Sequence, residues 1–194
     1  MPRRQQERSA QTRQALLEGA ITCLSEDGFR GFHGGRICER ISLSRGALLH
    51  QYPTREAFLE ATIDHILDQR LRETDCLLQA VRDAPNNVVK WCTIYEYFQT
   101  PVFIALNELL VGCRADAVLS AMMAEKYEQH RQNIVQLYQS RQPYSAANVP
   151  ISIQLRVISY FFTGLLIDKQ LPDPVPVETI LAFLETLDRK LSSP

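Results

Sequence analysis

Runs that alternate apolar and polar residues between turn signals are almost missing from this 194-residue chain, so a β-sheet architecture has nothing to build on. Cysteine is sparse and carries no pairing pattern. Cys23, Cys38, Cys76, Cys92 and Cys113 are far apart, odd in number and free of any C-x-x-C spacing. That excludes a disulfide framework and a zinc knuckle, and buried thiols are the expectation. The glycine-rich and histidine-rich signatures of nucleotide binding, zinc proteolysis and serine hydrolysis do not occur. The four histidines, His33, His50, His65 and His130, show no metal-ligand spacing with Cys or an acid; solvated or hydrogen-bonded roles are expected of all but His50, whose place in "SLSRGALLHQY" suits a phosphate contact equally well. No enzyme, metal or cofactor is therefore expected. No apolar run reaches the roughly 18 residues of a membrane span, and "MPRRQQERSAQTRQ" lacks the apolar middle of a signal peptide. The expected compartment is the cytoplasm, without a membrane partner.

What the chain does have is helical spacing of apolar residues nearly from end to end, in a composition that is 45% hydrophobic. An all-α fold follows. A first helix is expected from about Thr12 to Glu26, with Leu16, Leu17, Ala20, Ile21 and Leu24 on one face and Asp27-Gly28 as its stop. Two short helices follow, Gly34 to Ile41 and Ser44 to Tyr52, parted only by "SLS". Thr54 is placed to cap a long fourth helix that "DAPNN" closes near residue 83, and Pro53 keeps the third helix from continuing. Shorter helices are expected at 87 to 99 and 101 to 113, and Asp116 can cap a seventh to about Arg141. After the loop "QPYSAANVP" come an apolar helix, 151 to 169, the stop "LPDPVP", and a last helix, 177 to 191.

Charge is unevenly spread. Residues 1 to 60 hold nine Arg and no Lys against seven acids, a balance of +2, whereas the remainder carries −3. The basic third is also where the tight pair of short helices lies, which is the framework of a helix-turn-helix. In "SLSRGALLHQY", Leu43 and Leu48 can pack on Ile37 and Ile41 and leave Ser44, Arg45, Ala47, His50 and Gln51 turned outward. Ser44 can cap the third helix, whose first N–H groups offer a phosphate seat. Arg45 can reach a guanine edge or a phosphate, and Gln51 an adenine edge. Arg36, Gly46 and Arg55 complete the candidate DNA-contact set. The bland reading of the same stretch is a core-forming helical hairpin with solvated polar residues.

Context favours the functional reading. Residues 12 to 62, "TRQALLEGAITCLSEDGFRGFHGGRICERISLSRGALLHQYPTREAFLEAT", match in register with "DGF" after the first helix, "LSRGAL", and an aromatic two residues before "TREAFLEA". This segment resembles the DNA-binding domain of the tetracycline-repressor (TetR) family. The later pattern is similar too, down to "FFTGLLIDKQLPDPVPVETILAFLETLDRKL" as the two helices that usually build a dimer interface in that family. The resemblance implies a helix-turn-helix domain over 1–53 and a larger ligand-binding and dimerisation domain over 54–194. It implies a homodimer that binds double-stranded operator DNA and is released by a small-molecule effector. The chain departs from the family pattern at Leu49, where Tyr is frequent, at Arg55, where Lys is, at Ser42, where Gly is usual, and at Phe32-His33-Gly34-Gly35 before the second helix. Two adjacent glycines cost a helix roughly 1 kcal/mol each, so the second helix is expected to begin late or fray. These departures motivate an alternative, a dimeric ligand-binding or interaction protein on the same fold with weakened or lost operator binding.

The middle helices gather aromatics and Met around a few polar groups. Trp91, Tyr95, Phe98, Phe103, Asn107, Leu110, Met122, Met123 and Tyr127 are the candidate effector-lining residues, although any all-helical core would contain such side chains. A lining of this kind suits an uncharged or mildly polar hydrophobic molecule. In the last two helices, Ile158, Phe161, Phe162, Leu165, Leu184 and Leu187 are expected to form an outward apolar surface for a second copy.

Overall fold

The computed structural model describes residues 2–84, 87–141 and 149–191, and among these the regular structure is helical throughout. The order is α1 (Pro2–Asp27), α2 (Gly34–Arg40), α3 (Arg45–Gln51), α4 (Arg55–Arg82), α5 (Asn87–Tyr97), α6 (Pro101–Gly112), α7 (Ala117–Arg141), α8 (Ile151–Asp168) and α9 (Val177–Leu191). Of the expected loop "QPYSAANVP", residues 142–148 lie outside the described residues. The caps read from the sequence are present. Thr54 Oγ1 accepts the Ala57 N–H at 3.0 Å and Asp116 Oδ1 accepts the Leu119 N–H at 2.9 Å, so each satisfies an otherwise orphaned first-turn donor.

Near the N-terminus two features differ from expectation. A short 3-10 turn, Phe29–Gly31, follows α1, and α1 itself begins ten residues before Thr12. Residues 4–14 are exposed except for the half-buried Ser9 and Thr12, so no apolar face marks this extension. Its Gln, Arg and Glu are good helix formers, and lengthening a helix that already exists avoids the cost of nucleation.

The chain divides into two compact units, Met1–Arg70 with Pro101–His130, and Leu71–Thr100 with Arg131–Pro194. The first has a continuous core. Leu16, Ala20 and Leu24 of α1, Ile37 of α2, Leu59, Ile63 and Ile66 of α4, Leu109 of α6 and Leu119 of α7 are all fully buried in it. Gly28 ends α1 at φ 70, a left-handed conformation that disfavours a side chain, and a Cβ there would also lie 2.8 Å from a Glu108 carboxylate oxygen. The 3-10 turn then packs on α6, because a Cβ on Gly112 would sit 2.8 Å from the Phe29 ring.

The second unit buries far less. Leu78, Ile94, Phe98 and Phe162 form its interior, with the Phe98 and Phe162 rings stacked at 4.6 Å. Phe162, expected on the outward surface, is thereby taken into the chain's own packing, and it is the one buried residue of α8 among those described. α8 is also long and apolar enough, by length and composition, to cross a membrane, where the sequence reading found no such run. The difference is one of averaging, since Gln154 and Arg156 interrupt the run but are outweighed over the 18 residues. The thiols divide as well. Cys23 and Cys38 are buried, Cys92 and Cys113 half-buried, and Cys76, contrary to expectation, is exposed, because it falls on the outer side of α4 between the buried Thr74 and Leu78.

Candidate nucleic-acid interface

The turn between α2 and α3 is held by its own backbone. The Leu43 N–H donates to the Cys38 carbonyl at 2.9 Å, the Ser42 N–H to that of Glu39 at 3.2 Å, and the Cys38 thiol donates to the Ser44 carbonyl at 3.7 Å. Ser42 adopts φ 55, the left-handed conformation that glycine takes without strain. Ser44 then caps α3, its Oγ accepting the Ala47 N–H at 3.1 Å. Ile37 and Leu48 are buried in the core and Ile41 and Leu43 pack against it, as their spacing predicts.

The glycine pair does not delay α2, which begins at Gly34. A Cβ on Gly34 would lie 2.6 Å from Leu48 Cδ2, and one on Gly35 would lie 2.6 Å from an Arg45 guanidinium nitrogen. The two glycines therefore let α3 side chains lie directly on the first turn of α2, and the burial of Leu48 offsets their poor helix propensity.

On the outer side, Ser44, Arg45, Gly46, Leu49 and His50 are exposed and Ala47 is half-buried. A shallow groove lined by His33, Gly34, Gly35, Arg36, Arg45, Leu48 and Leu49 runs between α2 and α3. The arginines differ in their commitments. Arg36 contacts Asp27 at 2.8 Å, Arg40 contacts both Glu26 and Asp27, and Arg55 lies 3.8 Å from Asp116 with its guanidinium above the rings of Phe29 and Phe32. Arg45 has no ion pair among the described residues. Exposed pairs such as Arg36–Asp27 contribute only about 0–1 kcal/mol, so a phosphate can compete for that guanidinium. Gln51 is half-buried. Its amide donates to Ser9 Oγ at 2.9 Å and accepts from it at 3.3 Å, so it faces α1. His50 Nδ1 is 3.5 Å from the Gln51 amide.

The exit from α3 is part of the same core. Tyr52 and Phe32 both pack on Phe58, with ring centroids 5.0 and 5.2 Å away, so the first turn of α4 is fastened to the helix-turn-helix.

The candidate effector residues fall in both units. In the second, the Tyr95 ring is 6.5 Å from Phe162 and carries the Lys169 ammonium at 4.9 Å, Phe98 is stacked on Phe162, and the Trp91 indole N–H is buried. In the first, Phe103 and Met123 are buried, and Leu110, Met122 and Tyr127 pack against the core. Asn107 donates to the Phe103 carbonyl at 3.0 Å, within its own helix. Two polar side chains of this unit escape sequence reasoning. Arg70 is 6% exposed with its guanidinium 4.4 Å from the Phe103 ring centroid, and His130 is 7% exposed beside Tyr127. Burial, with the Arg70 charge adding to it, pushes the His130 imidazole down to about 4, so it is neutral at pH 7. Their signal is positional. Arg70 continues the stripe Ile63, Ile66, Leu67, and His130 continues Leu119, Met123, Tyr127, each at steps of three and four. His65, by contrast, is hydrogen-bonded as expected, 3.1 Å from Glu18.

No family model matches the chain. The HTH-type transcriptional regulator CymR of Pseudomonas putida is 25% identical over 130 residues, which cover 66% of this chain and 64% of that protein, a little under two thirds of its length. Among solved structures, one from Rhodococcus sp. described as a TetR-family transcriptional regulator superposes with a TM-score of 0.62 at 16% identity, covering 94% of this chain and 100% of its own. Another, described as a transcriptional regulator from Saccharomonospora viridis in complex with choline, gives 0.62 at 12% identity over 90% and 94% of the two chains. In fold the chain is thus similar to solved regulators of the TetR family, and in sequence it is similar to HTH-type transcriptional regulators.

Proposed function

We propose that the protein is a cytoplasmic, ligand-responsive transcriptional repressor that binds double-stranded operator DNA as a homodimer and is released by a small hydrophobic effector. Residues 1–53 supply the DNA contact and 54–194 the effector and dimer contacts. The observation that carries the reading is the outer face of α3, where Ser44, Arg45, Gly46 and His50 are exposed on a rigidly capped helix and Arg45 is held against Gly35 without an acidic partner among the described residues. Arg36 and Arg55 join it as phosphate contacts. For the second copy, the support is the apolar face of α8, on which Ile153, Val157, Tyr160, Phe161 and Ile167 are exposed.

The effector reading draws on Phe103, Asn107, Met123 and Tyr127 of the first unit, joined by Arg70 and His130, and on the small-molecule complex of the choline-bound neighbour. A molecule seated there would press on α4 and α6. Both are fastened to the helix-turn-helix, α4 through Phe58 and α6 through Phe29, so the spacing of the two α3 helices in a dimer would change. A coupling of about 1–3 kcal/mol is enough for regulation. The alternative, a dimeric ligand-binding protein with weakened operator binding, has two observations behind it, Leu49 exposed on the outer face of α3 and Gln51 turned to Ser9.

Selection of duplexes from a random-sequence pool on the full chain decides between them. An enriched palindromic site whose binding falls by roughly 1–3 kcal/mol in Arg45→Ala is expected. Absence of any salt-sensitive DNA binding would leave the alternative.

A further inference from the structure

We infer that the N-terminal extension of α1 is a second DNA-contact element, in which Arg4 and Arg8 hold backbone phosphates beside the groove entered by α3, with Gln51 as the positioning residue that joins the two helices. The inference rests on the operator-binding reading.

The extension contributes nothing to the core, whose first fully buried member in α1 is Leu16. It nonetheless has a fixed place. The paired Ser9–Gln51 hydrogen bonds, 2.9 and 3.3 Å, tie it to the last residue of α3 across 42 positions of sequence. At 1.5 Å per residue, roughly 10 Å of helix runs on from Ser9 to Pro2. Its charge is one-sided, since Arg3, Arg4, Arg8 and Arg13 face a single acid, Glu7, within the first fourteen residues. Arg4 and Arg8 are exposed, lie one helical turn apart, and form no ion pair among the described residues. Arg36, Arg40 and Arg55 all meet carboxylates instead. Two unengaged guanidinium groups held beside a recognition helix suit the polyanion that flanks that helix when it enters a groove, because phosphates line both sides of it. The contact carries no sequence information. It adds affinity and salt dependence, while α3 reads the bases. It also reassigns Gln51, whose amide is turned to α1 rather than to an adenine edge.

The test is a salt series of fluorescence anisotropy titrations of the full chain against a labelled mixed-sequence duplex. Arg4→Gln/Arg8→Gln is expected to keep helicity by circular dichroism, since Gln is a good helix former. It should flatten the slope of log affinity against log salt by about 0.9 for each phosphate that is no longer neutralised, and weaken binding on the order of tenfold at low salt. Arg189→Gln/Lys190→Gln, which removes the same charge from exposed positions of α9, should leave the slope alone. Ser9→Ala should weaken binding several-fold and Ser9→Thr should restore it. An unchanged slope in the Arg4/Arg8 variant, or an equal loss in the α9 variant, overturns the inference. If Arg45→Ala still weakens binding in the first case, operator binding by α3 stands without the extension. If the wild-type chain shows no salt-sensitive binding, both readings fall together.

Discussion

α6 and α8 are both strongly apolar helices, and their fates differ. α6 has Val102, Phe103, Ala105, Leu106, Leu109 and Gly112 buried within twelve residues, whereas α8 buries Phe162 within eighteen. On α8, Val157 is 61% exposed, Tyr160 69% and Ile167 64%, and together with Ile153, Phe161 and Gly164 they form one stripe at helical spacing. A Cβ added at Gly164 would meet nothing within 4 Å. Each square ångström of such surface is worth about 25 cal/mol when covered, so the stripe is a standing drive toward association. The comparison teaches that composition states only that a helix has an apolar face to cover. α6 is covered by α1 and its own unit, and α8 by a second copy in the proposed dimer.

The sharpest way to break that contrast is to charge the stripe. Val157→Glu/Ile167→Glu should cost the dimer several kcal/mol, because unpaired carboxylates would be desolvated at the interface. Light scattering should then report the 22.2 kDa monomer with helicity intact. A wild-type chain already monomeric at micromolar concentration would refute the dimer instead. On the covered side, Leu109→Ala should lower unfolding free energy by about 2–5 kcal/mol in urea, the cost of a cavity in a close-packed site, while Tyr160→Ala measured in the charged monomer background should cost little.

Acid provides a third lever, confined to the first unit. Because the folded His130 titrates near 4 and an unfolded histidine near 6.5, the native state binds fewer protons between those values. Stability should be complete above about pH 6.5 and fall by up to about 3 kcal/mol as pH drops toward 4. Comparing urea midpoints of wild type and His130→Gln over this range checks it, and the variant should lose much of the slope. The smallest expected effect is at the turn. Ser42→Gly removes left-handed strain and should stabilise by up to about 1 kcal/mol in the same assay, the relief of strain exceeding the added freedom of the unfolded chain.

Much of the fold was legible because helix ends carry chemistry. Thr54, Asp116 and Ser44 accept the N–H groups their positions predict, and Asp27-Gly28 ends α1 where its periodicity stops. What escaped has physical reasons. The α1 extension has no apolar face, and periodicity sees only faces. The glycine pair looked like a weak helix start because propensity is local, whereas the room it makes for Leu48 and Arg45 is tertiary. Phe162 shares its apolar character with Phe161, and only the stack on Phe98 tells them apart. Of the candidate site, exposure of Arg45 and His50 followed from the pattern, but the turn of Gln51 toward Ser9 depended on a helix not foreseen there. Arg70 and His130 show that a charged or titratable residue on a buried stripe is itself a signal.

The five thiols have a use that their chemistry does not advertise. Burial pushes the Cys23 and Cys38 thiols up and closes them off, while Cys76 stands in solvent. Labelling with a thiol reagent should therefore proceed in order, Cys76 at once and Cys23 and Cys38 only when the helix-turn-helix opens. The chain carries its own stopwatches. Reaction at Cys23 that was as fast as at Cys76 would mean that the three-helix core opens freely, and slow reaction there, timed with and without DNA, would measure how tightly that core is held while it works.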